Sequence, residues 1–303
     1  MRWLTSRYDL ALRRPWPGIG VRRRGWIVSA AKDGVTGFGD CAPLPLLGRN
    51  GFAQATACAI ETALCDRAAR AAGVSLARWL NPNAASRVQV NAAFPGSAGA
   101  SPARPPVRAG CPRSQVIKLK LPGDVAEALR RIEQAGAATL RLDANRGFSF
   151  EDAATLLRAI ADFPIDHVEE PLRDPTLSAL LALQAMVPFP IAVDESLDEL
   201  GIEAVLSSGL RRIVVKPMVL GGPQRTREIA GRAAAAGIEV VVTTAMDSAV
   251  GAWMAAHVAA AVDTGLAHGL DTARWLAEDV APGPEPVAGW LDIPDRPGLG
   301  VVP

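Results

Sequence analysis

From about residue 88 onward, short segments rich in β-branched residues alternate with Ala-rich and Leu-rich segments of helical periodicity. This alternation predicts repeating strand–helix units and a parallel sheet. Eight strands are predicted, reading VQVNAAF, VIKLKL, TLRLDA, HVEEP, IAVDES, RIVVKP, EVVVTTA and HGLDT. Eight strands separated by helices favour a closed parallel barrel over an open doubly wound sheet, although the count alone leaves both architectures open.

The residues before and after the predicted barrel have a different pattern. Strands and turns are predicted over Trp3–Asp33, and an Ala-rich amphipathic helix over Gln54–Ala72. We therefore predict an α+β domain over residues 1–86 and a (β/α) barrel domain over residues 87–275. The segment 276–303 is rich in Pro and Gly, which favours an extended tail that returns to the first domain.

Composition limits the partners of the chain. Its 303 residues include 32 basic and 31 acidic side chains, a formal net charge of +1, so no overall field attracts nucleic acid or a membrane surface. We expect a soluble, cytoplasmic protein, because no secretory signal and no bilayer-spanning apolar stretch is found. The cysteines form no C-x-x-C pair, which indicates reduced thiols; they are Cys41, Cys58, Cys65 and Cys111. The oligomeric state is left open.

Arginines cluster near the N-terminus, in the segment LRRPWPGIGVRRRGW. Arg13, Arg14 and Arg22–Arg24 are interpreted either as a solvated basic loop or as a contact to an anionic substrate. The part of this segment between Trp16 and Arg24 is also our candidate for a lid over a substrate.

Charged residues interrupt the apolar strands at regular intervals. They are Lys120, Asp143, Glu169, Asp194 and Lys216, and successive members are 22 to 26 residues apart. One strand–helix unit has about that length, so each charge lies at the same place, near the C-terminal end of its strand. In (β/α) barrels the catalytic residues come from this end. The sequence therefore predicts a ring of charged side chains there.

Three of these charges are carboxylates on successive strands, namely Asp143, Glu169 and Asp194. In a low-dielectric pocket three converging carboxylates repel one another unless a cation lies between them. Oxygen ligands favour a hard ion such as Mg²⁺. The histidines fall outside the regular spacing, except His268, which argues against zinc. Any one acid is better explained as a helix N-cap or an ion-pair partner. Three acids at equivalent positions of successive strands favour a metal site.

Lys118 and Lys120 lie two residues apart in the strand IKLKL, so both side chains point to one face. For an isolated pair, an edge strand with solvated lysines is an adequate explanation. Beside a metal site, Lys120 and Lys216 instead suit abstraction of a proton next to a substrate carboxylate, with Lys120 as base and the metal stabilising the enediolate. We expect the ammonium of Lys118 to favour the neutral, basic form of Lys120.

Five short motifs carry a resemblance to a known family. They are K-x-K in IKLKL, D-A-N in LRLDAN, E-E-P in HVEEP, D-E-S in AVDES and K-P in VVKP. In this order and spacing they resemble the enolase superfamily, in particular its muconate-lactonizing subgroup. GFGDCAPLP resembles a loop of that family's capping domain, with Asp40 in the place of a usual Glu. The resemblance implies a TIM-like (β/α)7β barrel, an α/β fold, with an N-terminal α+β capping domain.

Within the subgroup the chain most resembles the dehydratases that form o-succinylbenzoate, through its short length, LRLDANRGF and HGLDT. The resemblance implies that Asp143, Glu169 and Asp194 bind Mg²⁺. It implies that Lys120 acts as base and then as acid in a syn elimination from a small carboxylate substrate, and that Lys216 stabilises the enediolate from the opposite side. Positions near the substrate or the metal are implied for Lys118, Arg141, Asn145, Thr243 and Gly269.

Other activities stay open. An N-acylamino acid racemase or dipeptide epimerase of the same superfamily would use Lys120 and Lys216 as bases on opposite faces of the substrate. Dipeptide epimerases typically carry D-x-D on the last strand, and GLDT has only Asp271, which weakens that interpretation. A Schiff-base aldolase with Lys216 as nucleophile needs no metal, so the carboxylates disfavour it. A non-catalytic barrel is disfavoured because no member of the charged ring is missing.

Overall fold

A computed structural model describes residues 1–16, 18–44, 48–94, 116–136 and 138–303. The strands are β1 Arg2–Trp16, β2 Gly20–Lys32, β3 Val35–Cys41, β4 Arg87–Gln89, β5 Ala92–Phe94, β6 Ile117–Lys120, β7 Leu140–Asp143, β8 Ile165–Glu169, β9 Ile191–Val193, β10 Arg212–Val215, β11 Glu239–Val242 and β12 Trp290–Asp292. The helices are α1 Gly48–Ala71, α2 Leu76–Leu80, α3 Val125–Ala135, α4 Phe150–Ala159, α5 Leu177–Gln184, α6 Ser196–Leu200, α7 Ile202–Leu206, α8 Pro217–Leu220, α9 Pro223–Ala235 and α10 Ala249–Val262, and a 3₁₀ turn covers Ala273–Trp275.

The chain divides into two compact units. The first contains Met1–Val90, Val215–Gly231 and Val241–Pro303, and the second contains Asn91–Val214 and Arg232–Val240. The predicted boundaries at residues 86 and 275 stay predictions. Among the described cysteines, Cys41, Cys58 and Cys65 are buried and free, whereas Cys111 lies outside the described residues.

The second unit is built on short, buried strands. In the described residues they belong to a seven-stranded sheet with the order β11-β10-β9-β8-β7-β6-β5, and the pairs from β5 to β10 are parallel. Every residue of β7, β9 and β10 is buried. Burial on both faces is typical of parallel sheets that are covered by helices. The strand–helix alternation that the sequence predicts is therefore present.

Short polar side chains begin the helices that follow these strands. Asp124 accepts a hydrogen bond from the backbone N–H of Glu127 at 2.8 Å, at the start of α3. Ser149 Oγ begins α4 in the same way at 3.1 Å, and Thr176 Oγ1 begins α5 at 3.2 Å. Each cap satisfies a backbone donor of the first helical turn, so the chain turns into the helix soon after the strand ends.

The first unit contains a separate antiparallel sheet in the order β1-β2-β3. Strand β3 packs directly on α1, because two glycines of the segment GFGD remove the side chains that would separate them. A Cβ added at Gly37 would lie 2.2 Å from the carbonyl oxygen of Ala63, and one added at Gly39 would lie 2.0 Å from that of Ala59. Only glycine permits this backbone approach.

The predicted last strand, HGLDT, is not a continuous strand. Within the first unit, single parallel bridges join Val90 to His268 and Thr243 to Gly269. A Cβ at Gly269 would lie 2.4 Å from Thr243 Oγ1, so glycine is required for these backbones to approach. In the described part of the chain, no helix is both long enough and apolar enough to cross a bilayer.

Candidate active site

Strand register brings three of the predicted charges side by side in the second unit. Lys120 at the end of β6 pairs with Asp143 at the end of β7. Asp143 in turn pairs with Glu169 at the end of β8. Asp194 directly follows β9. The equal spacing along the sequence therefore becomes adjacency at one edge of the sheet, because parallel strands in register align their ends.

The Lys118 ammonium lies between two of the predicted metal ligands. Its Nζ donates to Glu169 Oε1 at 2.9 Å and to Oε2 at 2.7 Å, and it lies 2.9 Å from Asp143 Oδ2. Burial alone would lower the pKa of Lys118, but the charges of Asp143, Glu169 and Asp194 outweigh burial and raise it. We call Lys118, Lys120, Asp143, Glu169 and Asp194 the upper cluster.

Lys120 is the more exposed of the two lysines of β6. Its side chain is 33% exposed, against 19% for Lys118. Lys120 Nζ donates to Asn145 Oδ1 at 2.7 Å and lies 3.8 Å from Asp143 Oδ2. The backbone N–H of Asn145 donates to Asp143 Oδ1 at 3.0 Å, with Asn145 at φ 43°. Asn145 therefore orients both the predicted base and a predicted metal ligand.

Glu170, the second acid of HVEEP, holds the loop that carries Asp194. Its Oε1 accepts hydrogen bonds from the backbone N–H of Asp194 at 2.6 Å and of Ser196 at 2.9 Å, and Ser196 Oγ donates to the same atom at 2.6 Å. Burial raises the pKa of Glu170. No role for Glu170 is predicted from the sequence. The doublet of acids directly before a proline was the signal that could have revealed it.

Arg141 lies below the upper cluster, on the side of the strands' N-terminal ends. Its Nε donates to Asp166 Oδ2 at 3.0 Å and its Nη1 to Asn91 Oδ1 at 3.0 Å. Arg212 also contacts Asp166 and pairs with Glu239. We call this group the lower cluster; it contains Asn91, Arg141, Asp166, His167, Arg212 and Glu239. The predicted role of Arg141 near the substrate or the metal stays a prediction, and its described contacts lie within this ion cluster.

Three other predicted site residues lie at neighbouring strand ends of the first unit. Lys216 directly follows β10 and begins α8. The N–H of Thr243 donates to the carbonyl oxygen of Val215, the residue before Lys216, at 2.9 Å. Thr243 Oγ1 donates to the carbonyl oxygen of Gly269 at 3.0 Å. These hydrogen bonds thus place Lys216, Thr243 and Gly269 on neighbouring segments of the fold.

Asp40, which stands in the place of a usual Glu, is part of a buried network in the first unit. Its Oδ1 accepts from Tyr8 Oη at 2.8 Å, and its Oδ2 accepts from the N–H of Ser248 at 2.9 Å and from Ser248 Oγ at 2.8 Å. Asp247, next in the chain to Ser248, has its pKa raised to about 7 by burial and by the charge of Asp40. Asp40 therefore anchors the start of α10 to β3.

The N-terminal arginines divide into two kinds. Arg22 Nε and Arg24 Nε pair with Asp9 at 2.7 and 3.2 Å on an exposed surface. Arg23 is buried and donates to the carbonyl oxygens of Ala42, Pro43 and Met246. The first two fit a solvated basic segment, and Arg23 supports the fold. The lid assigned to this segment stays a prediction.

The donor set of the upper cluster fits a hard cation. Two carboxylates, from Asp143 and Glu169, converge on one positive charge, the Lys118 ammonium, and the charge of Asp194 acts on the same ammonium. Carboxylate oxygens are the ligands that Mg²⁺ prefers. In the described residues, no three His, Cys, Asp or Glu side chains are grouped closely enough to hold a metal ion by themselves. Asp143, Glu169 and Asp194 are the residues that would hold such an ion.

Comparison with known proteins identifies the family of the chain. The family model described as Enolase C-terminal domain-like matches residues 106–303. The chain belongs to the enolase superfamily. It is 32% identical over 246 residues to an o-succinylbenzoate synthase of Mycobacterium bovis (strain BCG / Pasteur 1173P2), which covers 78% of this chain and 69% of the relative. Membership of the superfamily confirms the resemblance seen in the sequence and supports an enzymatic role.

Other superfamily relatives carry out different reactions. An L-Ala-D/L-Glu epimerase of Bacillus subtilis (strain 168) is 30% identical over 199 residues, covering 62% of this chain and 54% of the relative. The crystal structure of a dipeptide epimerase from Methylococcus capsulatus, complexed with Mg and the dipeptide L-Arg-D-Lys, has a TM-score of 0.83 and 26% identity and covers 99% of this chain and 98% of that chain. The fold is therefore the α/β, TIM-like fold of the superfamily.

Proposed function

We propose that the protein is a Mg²⁺-dependent dehydratase, a carbon–oxygen lyase. It converts 2-succinyl-6-hydroxy-2,4-cyclohexadiene-1-carboxylate to o-succinylbenzoate in menaquinone biosynthesis. The observation that carries the proposal is the upper cluster. In it, Lys120 donates to Asn145 and lies next to the carboxylates of Asp143 and Glu169, which both contact the Lys118 ammonium. The 32% identity to an o-succinylbenzoate synthase favours this reaction over others of the superfamily.

Asp143, Glu169 and Asp194 would hold the Mg²⁺. When bound, the ion supplies positive charge to the substrate carboxylate and stabilises the negative charge that develops on it. The hydrogen bond from the Asn145 N–H fixes the Asp143 carboxylate, and Glu170 fixes the backbone on which Asp194 stands. These contacts orient the ligands, as hydrogen-bonded neighbours of metal ligands generally do.

Lys120 carries out the proton transfers. In its neutral form it removes the proton from the ring carbon that bears the carboxylate, and it then returns that proton to the departing hydroxide on the same face. The net change is the loss of one water and the formation of an aromatic ring. The ammonium of Lys216 stabilises the developing negative charge. The expected influence of Lys118 on the basicity of Lys120 stays a prediction.

The proposal also includes the architecture of the protein. We infer a (β/α)7β barrel whose last member is the bridged segment at His268 and Gly269, with residues 1–86 as an α+β capping domain. The partner is a small-molecule carboxylate rather than a nucleic acid or a membrane, and the location is the cytoplasm. The structure of the dipeptide epimerase with Mg and a dipeptide supports both the ion and a small-molecule substrate.

The alternative is an N-acylamino acid racemase or dipeptide epimerase, favoured by the 30% identity to the Bacillus subtilis epimerase. Lys120 and Lys216 would then act as bases on opposite faces of an α-carbon. Against this alternative, the carboxylate of Asp271 is paired with Arg274 at 3.0 Å. An acid engaged in this way is less suited to bind the ammonium group of a substrate.

The deciding experiment follows the diene absorbance of the cyclohexadiene substrate with purified protein. Mg²⁺-dependent loss of absorbance that stops with a chelator is the expected result. The absence of conversion by folded, Mg²⁺-loaded protein would overturn the dehydratase assignment. Solvent-deuterium exchange at the α-carbon of N-succinyl amino acids or dipeptides would then identify the racemase or epimerase reaction.

A further inference from the structure

Two buried carboxyl groups of the first unit meet at the start of α10. Asp40 lies near the end of β3 and Asp247 lies two residues before α10, and each residue is only 1% exposed. A Cβ added at Gly251, in the first turn of α10, would lie 2.7 Å from Asp247 Cβ and 2.8 Å from Asp40 Oδ2. The two side chains therefore flank the same glycine. We call Asp40 and Asp247 the carboxyl pair.

Asp40 is the member of the carboxyl pair that is better stabilised as an anion. Its Oδ1 accepts a hydrogen bond from Tyr8 Oη at 2.8 Å. Its Oδ2 accepts from the N–H of Ser248 at 2.9 Å and from Ser248 Oγ at 2.8 Å. Hydrogen bonds donated to a carboxylate favour its charged form. Asp40 therefore carries the negative charge of the pair.

Asp247 receives much less support for a charge. Its Oδ2 accepts one hydrogen bond, from the N–H of Ala245 at 3.2 Å, and its Oδ1 is buried without a hydrogen-bond partner among the described residues. A buried carboxylate with few donors favours its neutral form. In agreement, burial and then the charge of Asp40 raise the pKa of Asp247 to about 7. Asp247 therefore holds a proton where Asp40 does not.

The cations near the pair do not replace this proton. Arg23 donates through Nε, Nη1 and Nη2 to three backbone carbonyl oxygens, so its charge acts on Asp247 through space. The charges of Arg23 and Lys216 lower the pKa of Asp247, but burial and Asp40 outweigh them. The titratable and charged groups that face the pair are Tyr8, Arg23, Cys41, Cys58, Lys216 and Asp279.

The same contacts fix the segment 243–248 in front of α10. The carbonyl oxygen of Met246, a residue at φ 59°, accepts from Arg23 Nε at 2.8 Å, and Ser248 is bound to Asp40. A second negative charge on Asp247 would repel that of Asp40 in a buried environment. The glycine between the two side chains is in close contact with both, so they can separate only if the backbone moves.

We propose that the carboxyl pair holds one proton, on Asp247, and that loss of this proton loosens the segment 243–248 and the start of α10. The pair is a pH-sensitive device within the first unit. Its operation does not depend on which reaction the protein catalyses, so it goes beyond the proposed function.

The first test is the pH dependence of stability. Because the folded-state pKa of Asp247 is raised to about 7, its contribution is fully present below the unfolded value of about 3.9 and is lost as the pH rises through 7. Asp247→Asn keeps the shape of the neutral carboxyl group and cannot ionise. From pH 5 to pH 7, the equilibrium constant for unfolding of wild type should therefore rise about tenfold or more relative to that of Asp247→Asn.

Urea denaturation at pH 5, 6 and 7 measures this ratio. Asp33→Asn, at an exposed turn, is the matched control and should follow wild type at each pH. A ratio between wild type and Asp247→Asn that does not change from pH 5 to pH 7 would overturn the proposal.

Infrared spectroscopy observes the proton directly. Wild type at pH 6 should show the C=O stretch of a protonated carboxyl group that disappears on titration through about pH 7 and is missing in Asp247→Asn. If Asp247→Asn does not fold, Asp40→Asn serves as the second variant, and the titration should move to lower pH because the charge of Asp40 is gone. The absence of this signal from wild type, or an unmoved titration in Asp40→Asn, would overturn the proposal.

Hydrogen exchange locates the loosening. From pH 6 to pH 8, the protection of the segment 243–249, corrected for the intrinsic exchange rate, should fall in wild type and stay constant in Asp247→Asn. The start of α4, in the second unit, is the reference segment and should not distinguish the two proteins. Constant protection in wild type would overturn the loosening. No substrate is used in these measurements, so failure of the proposed dehydratase reaction leaves their outcome unaffected.

Discussion

The upper and lower clusters of the second unit both take residues from β7 and β8 and differ in how their charges are balanced. In the lower cluster, the Asp166 carboxylate is contacted by Arg141, Arg212 and His167 at 2.9 to 3.0 Å. Burial alone would raise the pKa of Asp166, but His167, Arg141 and Arg212 outweigh it and lower the pKa. Its two arginines thus face two acids, Asp166 and Glu239.

The upper cluster lacks such a balance. Three acids face two lysines, and the ammonium of Lys118 is shared between carboxylates from two strands. A buried cluster with balanced charges keeps its side chains in one arrangement, because the loss of any ion pair leaves an uncompensated charge. A cluster with an excess of acids favours an additional cation. A shift of two residues along β7, from Arg141 to Asp143, therefore separates a cluster that supports the fold from the candidate active site.

The largest expected effect is on turnover in the upper cluster. Lys120→Met should lower kcat by roughly 10²- to 10⁴-fold, the usual contribution of a general acid–base group, with an unchanged unfolding temperature. Lys32→Met, at an exposed lysine of β2, is the matched control and should retain full activity. Activity of Lys120→Met near that of the control would contradict the assignment of Lys120 as base.

The second effect is on stability and should appear in the lower cluster. Asp166→Asn leaves two arginines without their shared carboxylate, so the free energy of unfolding should fall by about 3 to 5 kcal/mol. Asp143→Asn should cost less than Asp166→Asn without metal, because Glu169 still compensates the Lys118 ammonium. Urea denaturation of both variants checks the contrast, and equal losses would abolish the distinction between the clusters.

Magnesium should sharpen the same contrast. A ligand at 100 times its dissociation constant stabilises the folded state by about 2.7 kcal/mol, so Mg²⁺ should raise the unfolding temperature of wild type and of Arg141→Met. The increase should vanish in Glu169→Gln. Thermal unfolding with Mg²⁺ and with a chelator measures it. An undiminished increase in Glu169→Gln would remove this residue from the metal site.

The smallest effect concerns acid stability. The folded-state pKa of Asp166 is lowered, so its contribution is present above the unfolded value of about 3.9 and is lost as the pH falls below it. Between pH 4 and pH 2, wild type should therefore lose about 1 kcal/mol or more from this group, and Asp166→Asn should lose less. Asp33→Asn, at an exposed turn, is the control. The same dependence of the free energy of unfolding on pH in all three proteins would contradict the prediction.

Much of the candidate site was predictable from the strands. The spacing of Asp143 and Glu169 was sufficient, because parallel strands in register convert equal spacing into adjacency. Arg141 shows the limit of that argument. It shares a strand face with Asp143, but two residues along a strand move a side chain by about 7 Å, and there it contacts Asp166.

Residues that act through distant partners were not predictable in this way. The hydrogen bonds of Glu170 go to a loop 24 to 26 residues away, and Asp40 accepts hydrogen bonds from Ser248, 208 residues away. No local periodicity encodes such contacts, because they depend on which elements pack together after the chain has folded.

The sequence by itself therefore determined the strand–helix alternation, the phase of the charged residues and the family, since these are properties of local pattern and spacing. The tertiary structure decided how those charges are compensated. It placed Lys118 between Asp143 and Glu169 and left a buried oxygen of Asp247 without a hydrogen-bond partner among the described residues. The reason is that electrostatic balance depends on distance and burial in three dimensions, and strand register together with backbone contacts between remote segments determine both.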